Sequence, residues 1–197
     1  MIKNKTPLRS SFYARDTVRV ARGLLGCTLV TRVRGVVTAG RIVETEAYIG
    51  PHDPAAHSYG NRQTARNAPM FGPPGMAYVY FIYGMHWCVN AVTERAGHPS
   101  AVLIRAVEPV MGEEAMRRRR RGRADYAGPG KVCQALGITG TMSGMPLDGV
   151  RIGIWKGARG SAGTRRIEVT PRIGIREARD WPLRFVLRPS PRLRVSA

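Results

Sequence analysis

Acidic residues and lysine are both scarce in this 197-residue chain. Thirteen Asp+Glu face 32 Lys+Arg, and only four of those cations are lysines: Lys3, Lys5, Lys131 and Lys156. No apolar run reaches the ~18 residues a membrane span needs, and the polar start from Met1 to Ser11 lacks the apolar stretch of a signal peptide. A soluble, cytoplasmic protein without membrane contact is expected. Cysteine is rare as well. Cys27, Cys88 and Cys133 are odd in number, far apart and without a CxxC pair, which excludes a disulfide framework or zinc knuckle and predicts reduced, mostly buried thiols. There is no internal repeat, and no linker divides two cores.

What the chain has in excess is arginine, which carries most of a net charge of +19. The planar guanidinium fork suits phosphate, so nucleic acid or another polyanion is the natural partner. The bland alternative is an arginine-rich proteome in which many of these side chains are simply solvated. A hydrophobic fraction of 43% with three Trp excludes a disordered polycation, which could not offset its ordering entropy.

Residues 1–11 read as a flexible basic arm and 12–197 as one domain. Asp16 can cap a short helix through Val18, Ala21, Leu24 and Leu25, stopped by Gly26. Alternation predicts strands over Cys27 to Val33 and Val36 to Tyr48, turning at Gly35. A Gly/Pro/Asn-rich loop from Gly50 to Gly75 is too long for an ordinary connection. Runs from Ala77 to Ile82 and Met85 to Val92 form a hairpin around Tyr83-Gly84, and Ala101 to Val107 is a further strand. Gly112 to Arg121 reads as a helix with Glu113 and Glu114 in its first turn and Arg117 to Arg121 at its end, matching the helix dipole. Those arginines are either a solvated terminus or phosphate contacts. Pro129 starts a short helix ending before Gly137, and short strands follow at Val150 to Trp155, Ile167 to Val169 and Leu183 to Leu187. No regular βαβ alternation appears, so the class is mixed α+β.

Two constellations carry chemistry. In a strand Glu44, Glu46 and Tyr48 share a face, and two carboxylates beside an aromatic suit acid/base work, although a lone E-x-E is commonly a solvated strand face. Tyr78, Tyr80 and Ile82 also share a face, while Tyr83 sits at the hairpin tip as a wedge able to push between stacked bases; a tyrosine taken singly is more often core or edge-strand packing. His52, Asp53 and His57 are close enough to suggest a metal site, but no Cys or His pair follows at ligand spacing, so no metal is expected.

At these residues the chain resembles the 3-methyladenine (alkyladenine) DNA glycosylases, the mammalian-type family that also occurs widely in bacteria. The matching runs are Ala21 to Gly26, Arg41 to Gly50, Ala55 to Ser58, Tyr78 to Met85, Leu103 to Pro109, Gly128 to Leu136 and Pro182 to Phe185, in the family's order over nearly the whole chain. The resemblance implies a monofunctional base-excision enzyme that flips an alkylated or deaminated purine out of duplex DNA. It hydrolyses the N-glycosidic bond, releasing free base and leaving an abasic site. By that resemblance Glu46 matches the general base and Arg105 the arginine beside the attacking water. Tyr48, His57 and Tyr80 match the residues that sandwich the base, and Asn90 the one that disfavours guanine. Tyr83 matches the residue inserted into the minor groove, with Met85 as the other wedge candidate. The expected architecture is a single domain with a curved, mainly antiparallel sheet, surrounding short helices and a protruding β-hairpin. The expected partner is double-stranded DNA containing damaged purines, bound by a monomer without cofactor.

The chemistry stands beside that resemblance. Glycosidic cleavage passes through an oxocarbenium-like sugar, helped by a carboxylate and a positioned water. An alkylated purine is already cationic and leaves with little acid help, and a cage of electron-rich rings attracts it. A bifunctional enzyme would use an amine, but Lys131 lies in a different motif and reads as helix-start packing or a phosphate contact. A non-catalytic duplex or RNA binder has no use for a carboxylate facing phosphates, and a small-molecule enzyme leaves Tyr83 unexplained. Two departures stand out: Arg188-Pro189-Ser190-Pro191 has prolines, which lack an amide to donate, where the family has a backbone turn with a small residue. His86-Trp87 replaces other aromatics of the return strand.

Overall fold

The computed structural model describes residues 6–157 and 165–189. Its spine is a 13-residue strand, β2 (Val36–Tyr48), whose bounds follow directly from the alternation and from the Arg34-Gly35 turn, where both residues have positive φ. The first half of β2 pairs with β1 (Thr28–Val33) and β1 in turn with β6 (Ile152–Trp155). Pairing with β1 ends at Arg41, and at Glu44 the strand β8 (Arg184–Pro189) takes over that edge, itself paired with β7 (Arg165–Thr170). The other edge of β2 is covered by β5 (Ser100–Met111), then β4 (His86–Thr93), then β3 (Ala77–Ile82). All these pairings are antiparallel, and the change of partner along β2 curls the 8-stranded sheet.

Two opposing register shifts sit at that change of partner. Between the pairs Ile42↔Val107 and Glu44↔Ala106 the additional residue is Val43; between Glu44↔Ala106 and Thr45↔Ile104 it is Arg105. A bulge resets which face each side chain takes. Ile42 therefore joins the core together with Ala47, although Glu44, two residues after Ile42, turns the other way. Thr45, buried, donates its hydroxyl to Ala21 O of the helix α2 (Thr17–Leu24), packing the sheet against that helix. Asp16 caps α2 by accepting from Arg19 N–H at 2.9 Å, as its position predicts.

The remaining helices are short: α1 (Ser10–Tyr13), α3 (Glu113–Arg119) and α4 (Pro129–Leu136). Within the expected basic arm, residues 1–5 lie outside the described residues. From Pro7 onward the chain docks on the sheet, with Pro7 bridging Trp155 and Leu8 N–H donating to Ile154 O at 2.7 Å. The arginine run also divides. Arg119 donates to Thr38 Oγ1 and Ala135 O, and Arg120 to Asp125 O and Gln134 Oε1, so neither is a simple solvated terminus. All three cysteines are buried and free. Among the described residues no helix is long and apolar enough to cross a membrane.

The hairpin β3–β4 closes through Tyr83 (φ 53) and Gly84 (φ 66), with Met85 N–H donating to Ile82 O, the signature of a type I′ turn. Met85, expected to open the return strand, therefore lies in the turn, and β4 begins at His86. The base of the hairpin is seated by close approach to glycines. A Cβ on Gly130 would meet His86 at 2.9 Å, and one on Gly140 would meet Trp87 at 2.6 Å. His86-Trp87 thus anchors the hairpin against α4 and the turn after it, with Phe81 and Trp87 rings 4.7 Å apart.

Candidate active site

The charged centre lies where β2, β5 and β8 meet. Glu46 is fully buried, yet its carboxylate takes three donors: Tyr48 OH at 3.1 Å and Arg105 Nη1 at 3.3 Å on Oε2, and Ile173 N–H at 2.8 Å on Oε1. A carboxylate offers about four acceptor positions, so one remains for the proton of a water. Burial raises the Glu46 pKa, and Arg105, Ile173 and Tyr48 pull against that rise without cancelling it. A base tuned upward toward working pH is what proton abstraction needs. Burial also raises the Tyr48 and Tyr80 phenols, which stay neutral.

Arg105 is aimed by its bulge and held by Glu44, whose Oε1 accepts from Arg105 Nε at 3.1 Å and Arg184 Nε at 2.6 Å. The two carboxylates thus have separate roles: Glu44 orients two guanidiniums, and Glu46 keeps the acceptor capacity. Arg184 in turn donates to Thr170 Oγ1.

Beside this centre lies a cavity of about 280 Å³ whose wall contains Tyr48, His57, Tyr80 and Asn90, together with Met70 and Tyr78. His57 meets Tyr80 edge-on, centroids 4.6 Å apart at 81°, and its Nδ1 shares a 2.8 Å hydrogen bond with Tyr78 OH. Burial lowers the His57 pKa, with Arg66 adding to the effect, so the imidazole is neutral at neutral pH. The buried Asn67 holds the backbone that carries this ring, donating to His57 O and Arg62 O at 2.9 Å each and accepting from Thr64 N–H. Asn90 faces Tyr78 across the hairpin and donates to Tyr78 O at 3.0 Å.

A second cavity of about 470 Å³ shares Tyr48 and Tyr80 with the first and continues past Arg105 to Tyr83, Arg120, Arg123 and Lys131. Tyr83 and Met85 are the most exposed apolar side chains near it, at 75% and 69%. Lys131 pairs with Asp125, beside the start of α4. Asp53 is engaged by an arginine, and among the described residues no cluster of His, Cys, Asp and Glu is arranged to hold a metal ion. Of the departing C-terminal run, Arg188 pairs with Glu168 and Pro189 closes β8; Ser190 and Pro191 lie outside the described residues.

Sequence reasoning missed Arg172. Its side chain is fully buried and forks onto Asp53, with Nη2 2.8 Å from Oδ1 and Nη1 donating both to Oδ2 and to Ala47 O. Its guanidinium lies over the Tyr48 ring at 4.7 Å, and the next residue supplies the N–H to Glu46. The only sequence signal was Asp53 itself, an acidic residue in an over-long loop.

The model of the methylpurine-DNA glycosylase (MPG) family matches residues 11–191. Among curated relatives, one from Rhodopseudomonas palustris (strain HaA2) is 54% identical over 187 residues, covering 93% of this chain and 88% of its own length. One from Methanoculleus marisnigri is 51% identical over 188 residues, covering 93% and 96%. A third, from Desulfitobacterium hafniense, is 43% identical over 197 residues, covering 93% and 96%. Each of the three carries the provisional name 3-methyladenine DNA glycosylase. A match of that extent, over a chain whose buried Glu46–Arg105 centre adjoins an aromatic cavity, is membership: the chain belongs to the methylpurine-DNA glycosylase family, DNA-repair hydrolases of N-glycosyl bonds.

Proposed function

We propose that this glycosylase acts as a monomer on duplex DNA in the cytoplasm, flipping alkylated or deaminated purines into the cavity walled by Tyr48, His57 and Tyr80. The observation that carries the reading is the buried Glu46 carboxylate, held by three donors, one of which is the hydroxyl of Tyr48 on the wall of that aromatic cavity. Glu46 takes a proton from water as the water attacks the sugar carbon. The glycosidic bond breaks with its electron pair going to the base, and positive charge builds on the sugar. Arg105, hydrogen-bonded to the same carboxylate at 3.3 Å, flanks the attacking water. Free base and an abasic site leave; Lys131, on the wall of the adjoining cavity, pairs with Asp125 rather than with the Glu46–Arg105 centre.

The rings supply recognition: a planar base stacks on Tyr48 and Tyr80, while Asn90 on the cavity wall crowds the exocyclic amine of guanine. Tyr83 fills the gap in the duplex. Its support is conformational, because a bulky aromatic at φ 53 costs about 1 kcal/mol or more, and residues held in that region cluster at functional sites. Met85 stands beside it as the second wedge. Selectivity is helped by extrusion, since damaged or mispaired bases unstack more easily. The testing experiment incubates the protein with duplexes bearing 3-methyladenine, 7-methylguanine, hypoxanthine or ethenoadenine, then cleaves abasic sites with alkali. Strand scission at the lesion only after alkali supports the reading. Scission without alkali contradicts the monofunctional chemistry, and none with any lesion contradicts the substrate class.

A further inference from the structure

Arg66 sits where a charge would bias the choice of base. Its guanidinium carbon lies 5.1 Å from the Tyr80 ring centroid, and Nη2 donates to Phe81 O at 2.9 Å, fixing the group against the strand that carries Tyr80. It belongs to the long loop after β2, is exposed, and does not itself line the aromatic cavity. Among the described residues no carboxylate pairs with it. By contrast Arg172, the cation over Tyr48, is neutralised by Asp53. Of the two cations over the rings, Arg172 is balanced and Arg66 is not; Arg176 and Glu177, of opposite sign, also line the cavity.

An electron-rich ring attracts a cationic base through its negative face, but a guanidinium already on the ring competes for that attraction and repels a second positive charge. We propose that Arg66 is a specificity-determining residue that biases the cavity against cationic alkylpurines and toward neutral ones. The proposal rests on the base-binding reading given above. Two neighbours register the charge: Arg66 contributes to lowering the His57 pKa and opposes the burial-driven rise at Tyr78. A base stacked on Tyr80 would lie roughly 8–9 Å from the guanidinium, where an intermediate dielectric still leaves a repulsion worth about three- to tenfold in relative rate. A neutral base feels none of it.

The test compares single-turnover excision at sub-saturating enzyme, which includes capture of the flipped base, for 7-methylguanine, a cation, and hypoxanthine, a neutral base, in otherwise identical duplexes. Arg66→Gln should raise the 7-methylguanine to hypoxanthine ratio about three- to tenfold, while Arg66→Lys, which keeps the charge, should leave it within about twofold. An unchanged ratio in Arg66→Gln overturns the proposal, as would equal slowing of both lesions, which would mark a phosphate contact. Equal shifts in the Gln and Lys variants also overturn it, since they would assign the effect to the fork's packing. A parent enzyme that excises neither base refutes the underlying base-binding reading instead, and is told apart because no ratio then exists.

Discussion

Replacing Arg172 by Met should destabilise the protein and slow it, and the structure sets both magnitudes. The substitution strips Asp53, which is fully buried, of a bidentate partner, leaving only the backbone N–H groups of Ile49 and Ala55 at 3.2 and 3.0 Å. Breaking a buried ion pair from one side costs about 3–5 kcal/mol, because the remaining charge is uncompensated. For a chain of this size that corresponds to a fall in Tm of roughly 6–20 °C. Asp53→Asn should cost a similar amount by orphaning the guanidinium. The double variant Arg172→Met/Asp53→Asn should recover a large part of the loss, since neither charge is then stranded. Thermal melts of the four proteins form a double-mutant cycle with a coupling of about 3–5 kcal/mol or more, because the double variant then costs no more than either single one. Activity should remain depressed in the double variant even where stability returns, because Ile173 N–H no longer has Arg172 fixing the backbone that delivers it to Glu46. Additive losses, or single variants within about 0.5 kcal/mol of the parent, would refute the argument that this pair holds the site together.

Two further outcomes follow from the site. With Glu46 as the proposed base, single-turnover excision should fall tenfold per pH unit on an acid limb lying above the ordinary carboxylate range of about 4.3, because a base must be ionised and burial raises this carboxyl's pKa. A limb at or below that range contradicts the placement. The same shift has the opposite sign for stability, since a carboxyl with a raised folded pKa stabilises most below its unfolded value and loses that contribution as pH rises through the folded one. Tyr83→Ser should weaken the flipped complex by roughly 1–3 kcal/mol while leaving binding to undamaged duplex nearly unchanged. Fluorescence of 2-aminopurine beside an ethenoadenine reports the unstacking, and parental flipping by this variant would reduce Tyr83 to packing.

Local pattern made most of the strands legible. β2 and β3 run over the residues that alternation assigns, because turn residues bound them and one face of each is buried. Expectation and structure part where tertiary contacts decide. β5 continues past Val107 to Met111 because β2 offers it partners as far as Ala39. Arg119 and Arg120 read as a solvated terminus or as phosphate contacts, yet reach Thr38, Ala135, Asp125 and Gln134, contacts that no local pattern encodes. The Glu44–Glu46–Tyr48 face was readable by period 2, whereas the bulge residues Val43 and Arg105, which turn that face away from Ile42, were not. Arg172 was invisible for the same reason: its partner is 119 residues away, and one arginine among many gives no signal. The ordering His57–Tyr80–Asn90 around one cavity rests on the fold, with family resemblance naming the roles in advance.

The central claim is that Glu46 activates water at this site. Single-turnover excision of ethenoadenine by Glu46→Gln, measured beside DNA binding by the same protein, tests it most directly. The variant keeps side-chain size and should bind damaged duplex at least as well as the parent, with excision reduced by about 10²–10⁴-fold or more. Near-parental excision by a folded, DNA-binding Glu46→Gln protein would contradict the account and turn attention to Glu44.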